Sequence, residues 1–365
     1  MKIRTYFSIC SIILLTQALV AGDYLQYQVR LEPVWSRVAD VYGEAGSVES
    51  AEFSPNGKYI VTGTKFDNSV IMWRTSDGAE LWRQYHAHEV ERVGWSADGK
   101  YVAACSEDHV VSVYHAKSGK KLMDLAHTQG IDGLTWSNKG SLLASGEEMT
   151  KNQDGTTDGF IRIFDMPSGK ELKVLNFGNT TNELFFSSDD QYLLAAGHGA
   201  VKIYNTQTWE LEKTLNPSYR VKYITGVFSP DDRYIAASGT SDYAKGTIFL
   251  WEWKTGKLLK TLNHTGKKIE SLSWHPNGRY ILSSGHSPYI FVYRFDDILQ
   301  YSNDSTPVAH KCWTGDHMEY LDFNADGSFL VSSHQNGLVR LWVWMGEDPE
   351  LNSVRHTWVK QQQQQ

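Results

Sequence analysis

"VGWSADGKYVAAC", residues 93–105, reads as a strand ending on an aromatic residue, a polar reversal and a second apolar strand. The phrase returns as "AEFSPNGKYIVTG" (51–63), "LTWSNKGSLLASG" (134–146), "LFFSSDDQYLLAAG" (184–197), "GVFSPDDRYIAASG" (226–239), "LSWHPNGRYILSSG" (272–285) and "LDFNADGSFLVSS" (321–333). Its anchor aromatics, Phe53, Trp95, Trp136, Phe186, Phe228, Trp274 and Phe323, are spaced by 42, 41, 50, 42, 46 and 49 residues. That period belongs to four-stranded blades. The reversals have a mechanism: Pro presets one backbone angle, and Gly or Asn accepts the left-handed conformation that a tight strand reversal needs.

Each copy continues into a third strand, "VIMWR", "VSVYH", "IRIFD", "VKIYN", "IFLWE", "IFVYR" or "VRLWV", with an aromatic at one register from Trp73 to Trp342. A fourth follows, as in "GKKLMDLAH" (119–127) and "GKLLKTLNH" (256–264). No blade buries both faces of its small sheet alone, so seven must stack around an axis. The predicted fold is all-β, a seven-bladed propeller of four-stranded antiparallel blades over residues 23–345. The last copy supplies three strands, so "VWSRVADVYGEAG" (34–46), after Glu32 and Pro33, is assigned as its fourth. "YLQYQVRL" (24–31) and "LNSVRHTWVK" (351–360) are expected to cover an edge or pack outside. Residues 346–365 form a C-terminal extension ending in five Gln, a low-complexity run.

Residues 1–22 have the pattern of a signal peptide: Lys2 and Arg4, an apolar run from Tyr6 to Val20, then Ala21 and Gly22. The run is shorter than the roughly 20 residues a membrane-spanning helix needs, and polar residues dilute it, so no stable transmembrane anchor is expected. The sequence thus points to export, to a periplasm or beyond the cell. Removing the segment takes the net charge from −7 to −9, a poor balance for binding nucleic acid. Two cysteines then remain, Cys105 and Cys312, too few for a disulfide framework. Cys105 is read as a small buried hydrophobe. Sequons stand at Asn179, Asn263 and Asn303.

On these residues the chain resembles the WD-repeat propeller family from about Val41 to Trp344. His86, Asp108 and Tyr114 match the family's structural hydrogen-bond set, as do His127, Asp158 and the Phe164-Asp165 pair, while Asp67 serves another blade. The second turns "HGAV", "HSPY" and "QNGL" lack the Asp, and the Trp-Asp ending is nearly absent. The resemblance implies an interaction platform without chemistry of its own.

The register also locates a face. Four residues before the anchors stand Glu49, Glu91, Asp132, Asn182, Ile224, Glu270 and Glu319, and at the second turns Thr64, Ser106, Glu147, His198, Thr240, His286 and His334. Asp and Glu make up 42 of 365 residues, so five carboxylates in seven positions is an enrichment. Two carboxylates about 10 Å apart repel by roughly 0.4 to 1.7 kcal/mol. Such a funnel, flanked by His198, His286 and His334, suits a protein partner presenting a basic segment, a cationic ligand or a metal ion. The alternative is structural: the carboxylates accept hydrogen bonds from loop amides or pair with Arg92 and Lys268, and the three histidines replace the missing turn aspartates. His86, His127 and His264 are read as structural. In the swollen third-blade loop, residues 147–160, Glu147, Glu148, Asn152, Asp154 and Asp158 could surround calcium, although the spacing is not that of an EF-hand.

Three functions follow as expectations. The first is a recognition platform; the second is a metal-dependent hydrolase or lyase using the His and carboxylate groups; the third is a structural subunit of an envelope or surface complex. The sequence requires no cofactor. No nucleophile elbow, phosphate loop or dinucleotide fingerprint occurs.

Overall fold

In six of the seven copies the residue after the anchor aromatic explains the first turn. Ser54, Ser96, Ser137, Ser187 and Ser229 accept, through Oγ, the N–H of the residue that starts or adjoins the second strand, at 2.9–3.1 Å. Asn324 does the same for Phe329 at 2.8 Å. Three residues further on, each reversal passes through positive φ: Gly57, Gly99, Gly140, Gly278 and Gly327 in five copies, Asp190 and Asp232 in the others. Asp is among the few side chains that tolerate this region.

Seven four-stranded sheets result, in a computed structural model that describes residues 29–216, 221–240, 246–263, 267–300, 308–346 and Arg355. The innermost strands are Val48–Phe53, Val90–Trp95, Ile131–Trp136, Thr181–Phe186, Lys222–Phe228, Ile269–Trp274 and Met318–Phe323. Each packs on the next and the seventh on the first, closing a ring. Seven apolar cores lie between blades, each drawing residues from two neighbours, as Val61 and Met72 of blade 1 meet Val93 and Trp95 of blade 2. Stability is therefore distributed along the ring.

The strand Arg30–Val38 pairs antiparallel with Leu338–Met345 and completes blade 7. It begins four residues earlier than the sequence reading placed it, and a bulge between Pro33 and Trp35 accommodates the missing proline N–H. Trp35 donates its indole N–H to Thr75 O at 2.8 Å, tying the closing strand to blade 1. Buried Asp40 accepts from the backbone N–H groups of Tyr42, Ser47 and Phe66 at 3.0–3.1 Å, fixing the passage into blade 1. A short helix, Phe295–Gln300, follows the third strand of blade 6. Cys105 and Cys312 are buried and unbridged. No helix among the described residues is long and apolar enough to cross a membrane. The signal-peptide pattern, His264, Asn303 and all of the C-terminal extension except Gly346 and Arg355 lie outside the described residues.

Candidate functional site

Every innermost strand breaks register with its neighbour at one place. The breaks fall between Val48 and Ser50, Val90 and Arg92, Ile131 and Gly133, Thr181 and Glu183, Tyr223 and Thr225, Ile269 and Ser271, and Met318 and Tyr320. The residue skipped is in turn Glu49, Glu91, Asp132, Asn182, Ile224, Glu270 and Glu319. A bulge leaves its extra residue out of the ladder and re-aims its side chain. The seven positions picked out by counting back from the anchors are therefore seven equivalent bulges at one end of the inner ring.

The five acidic ones are consecutive around the ring, over blades 6, 7, 1, 2 and 3, and they act on one another. Burial pushes Glu319 up to about 7, helped by Glu49 and Glu270. Burial also holds Glu91 well above the carboxylate range, with Glu49 and Asp132 adding to it. Asp132 is pushed up to about 7 by burial and then by Glu148 and Glu107; these three carboxylates have oxygens within 4.8 Å of one another. Basic residues thread the arc. Lys65 is ion-paired to Glu89 at 2.6 Å, and that pair, with Glu49 and Glu91, outweighs the burial that opposes its charge. Lys268 pairs with Glu270 at 2.7 Å.

The remaining two bulges are neutral. Asn182 donates its side-chain N–H to Tyr223 O at 2.6 Å, and Ile224 is half-buried. His198 stands beside this sector, where burial, Lys222 and Lys268 depress it to about 4.

The second-turn residues divide. His286 meets Glu270 at 2.9 Å, is raised above its ordinary pKa by that contact, and stacks on His317 with ring centroids 5.1 Å apart. Glu270, His286 and Glu319 bring ligand-type atoms within 4.8 Å and could hold a metal ion, beside a cavity of about 400 Å³ that Glu49 and Lys65 also line. His334 is elsewhere: it is fully buried, bonded through Nε2 to Ser332 Oγ at 2.8 Å, and Trp342 donates to the same hydroxyl at 2.8 Å. Burial depresses it to about 3. The predicted trio of His198, His286 and His334 is therefore corrected; the three do not converge, and His334 is a core residue.

The structural histidines behave as such. His86 bridges Asp108 and the Tyr114 hydroxyl, each at 3.1 Å, and His127 bridges Leu125 O and Ser145 Oγ at 2.9 and 2.6 Å. Asp158 does not complete this set. It bonds Asn152 and Asn176 in the small hairpin of Thr150–Lys151 and Thr157–Asp158, while fully buried Glu147 accepts from Thr128 N at 3.0 Å and pairs with Arg162 at 2.8 Å. The insertion displaced the aspartate and a longer carboxylate took its place. With Glu147 turned to Arg162 and Glu148 toward Asp132, the loop's oxygens do not surround one calcium.

A second charged group was missed. Glu52, Arg92, Glu183, Tyr320 and Asp322 project inward from the middle of the innermost strands. Arg92 lies 3.7 Å from Glu183 and over the Tyr320 ring at 5.2 Å. Burial raises Glu183 and Asp322 to about 7 and Glu52 well above its usual range. The legible signal was a charge inside an otherwise apolar strand pattern, one or three residues before an anchor.

Comparison with known proteins places the repeats. The model of the anaphase-promoting complex subunit 4 WD40 domain matches residues 51–139, and that of the WD domain, G-beta repeat, matches 119–165, 256–294 and 308–343. The chain is 29% identical over 263 residues to the protein tipD of Dictyostelium discoideum, covering 66% of this chain and 39% of that one. It is 22% identical over 315 residues to the COMPASS component SWD3 of Saccharomyces cerevisiae, covering 81% and 94%. With the serine-threonine kinase receptor-associated protein of Gallus gallus it shares 22% over 298 residues, covering 79% and 76%. The chain spans less than half the length of tipD and of autophagy-related protein 16 of Arabidopsis thaliana, of which it covers 48%.

Proposed function

The chain belongs to the WD-repeat β-propeller family, and from that premise we propose that it is a protein-interaction platform whose bulge face receives a basic segment of its partner. One observation carries the reading: five consecutive bulges aim carboxylates at one end of the ring, where Glu49 and Asp132 add to the raised pKa of Glu91, and Glu49 and Glu270 to that of Glu319. Repulsion of that kind is relieved by a cation, which a partner's Lys or Arg supplies. The neutral sector at Asn182 and Ile224 gives the face a direction, so a bound segment lies along blades 6 to 3 rather than across the centre. One relative is named as a component of an assembly, and one matching family model describes the domain of a complex subunit, which agrees with a platform.

The N-terminal pattern supports export, so the partner meets the propeller in a periplasm or outside the cell. N-terminal sequencing of the protein recovered from cell fractions tests that point: a mature start near Asp23 in an exported fraction is expected, and an intact Met1 in the cytosol contradicts it. For the face, fluorescent oligolysine is titrated against the wild type and Glu49→Gln/Glu91→Gln at low and high salt. Binding that weakens with salt and with the double substitution supports the proposal; binding indifferent to both overturns it.

A further inference from the structure

The arc of carboxylates begins at blade 6, and there a ring nitrogen joins them. Gly285 makes the meeting possible. A Cβ on it would collide with Lys268 O and stand 2.8 Å from Glu270 N, so glycine lets the second turn of blade 6 lie against the bulge of its own innermost strand. His286 N then donates to Lys268 O at 3.0 Å, and the imidazole Nε2 arrives 2.9 Å from Glu270 Oε1. Glu319 comes from the next blade, with a carboxylate oxygen within 4.8 Å of both.

Neighbours hold these groups in place. The His286 ring stacks on His317, with centroids 5.1 Å apart and planes 5° from parallel. Gln335 donates its side-chain N–H to Glu319 Oε1, which leaves its carbonyl oxygen to accept from His317 Nδ1 at 3.1 Å. Two ligands of a tetrahedral Zn²⁺ stand roughly 3.3 Å apart when each lies about 2.0–2.2 Å from the ion. His286 and Glu270 are close to that spacing, and a side-chain torsion brings Glu319 to it. The ammonium of Lys268 rests on Glu270 Oε1 at 2.7 Å, but its side chain is 31% exposed and can swing into solvent. The cluster of Glu107, Asp132 and Glu148 offers oxygen alone. An imidazole beside carboxylates suits a transition metal instead of a hard cation.

We infer that Glu270, His286 and Glu319 form a site for a divalent transition-metal ion of the zinc type, bridging blades 6 and 7. Its remaining coordination positions open onto the cavity of about 400 Å³ that Glu49, Lys268 and Gln335 also line. The metal replaces the Lys268 ammonium on Glu270, so Lys268 is a competitor built into the site. Gln335 is a positioning residue that acts through Glu319. The site shares an end with the acidic face yet needs no protein partner.

Calorimetry on the full chain, after chelator treatment and dialysis, tests this with ZnCl₂ and with CaCl₂ as the oxygen-seeking control. About one equivalent of Zn²⁺ is expected to bind and to raise Tm, with Ca²⁺ weaker by about tenfold or more. His286→Ala should weaken Zn²⁺ binding by about a hundredfold and Gln335→Met by about tenfold. Lys268→Met should act in the opposite sense and tighten it by about threefold. Zn²⁺ affinity unaltered in His286→Ala, as adventitious binding at other histidines would give, or Ca²⁺ bound as tightly as Zn²⁺, would overturn the assignment. Should His286→Ala fail to fold, Gln335→Met and Lys268→Met still decide it, and no shift in either overturns it. Oligolysine titrated against the same proteins without Zn²⁺ reports on the bulge face alone, so the two readings fail separately.

Discussion

Two sets of seven residues stand at the same end of the ring, the bulge residues and the second-turn residues, and apart from His198 and His286, which stand with the bulge ring, they meet opposite fates. Glu49, Glu91, Asp132, Glu270 and Glu319 act on one another across neighbouring blades. Thr64, Ser106, Glu147, Thr240 and His334 are buried and serve their own blades. The backbone makes the difference. A bulge removes its residue from the ladder and re-aims its side chain toward the neighbouring blades; a strand end keeps its residue in the sheet, where a polar group must find partners. One face can therefore carry structural and recognition groups side by side.

Substitutions separate the two sets, beginning with the largest effect. Glu147→Ala strips Arg162 of a buried partner and Thr128 of its acceptor, so chemical denaturation should show a loss of about 3–5 kcal/mol, while Asp158→Ala in the small hairpin should cost far less. Equal losses would return the structural role to Asp158. Glu49→Gln/Glu91→Gln should leave the fold intact and lower oligolysine affinity about tenfold at low ionic strength, with the association rate falling most.

Asn182→Asp should extend the acidic arc into blade 4 and strengthen oligolysine binding by about twofold, a gain limited by solvent screening, at the expense of no more than one hydrogen bond to Tyr223 O. No gain would place the bound segment away from that sector. Asp132→Asn should show the smallest effect, raising Tm at pH 8 by about 2 °C. The sign follows from linkage: Asp132 and Glu319 have folded pKa values near 7, above their ordinary values, so their contribution is present below pH 4 and lost as pH rises through 7. At pH 5 the Asn variant should show a smaller advantage, and below pH 4 none.

The blades were legible because the anchor, the turn residue and the left-handed position recur in every copy, and each is a local requirement of a strand reversal. The bulge ring was legible for the same reason, since a fixed offset from the anchor marks it in all seven strands, although only the structure identifies the offset as a bulge. His334 was misassigned because the residue type at a turn does not reveal which way the side chain points. Asp158 was misassigned because about ten inserted residues shifted it out of register, and Glu147 reached the same donor from the strand. The inward group of Glu52, Arg92, Glu183 and Asp322 lay in the same alignment, but opposing charges from blades far apart in sequence become partners only when the ring closes.

The salt dependence of oligolysine binding to the wild type and to Glu49→Gln/Glu91→Gln is the measurement that bears most directly on the bulge face. The account predicts a steep loss of affinity with ionic strength in the wild type and a weaker, flatter dependence in the variant. Parallel curves of equal affinity would contradict it.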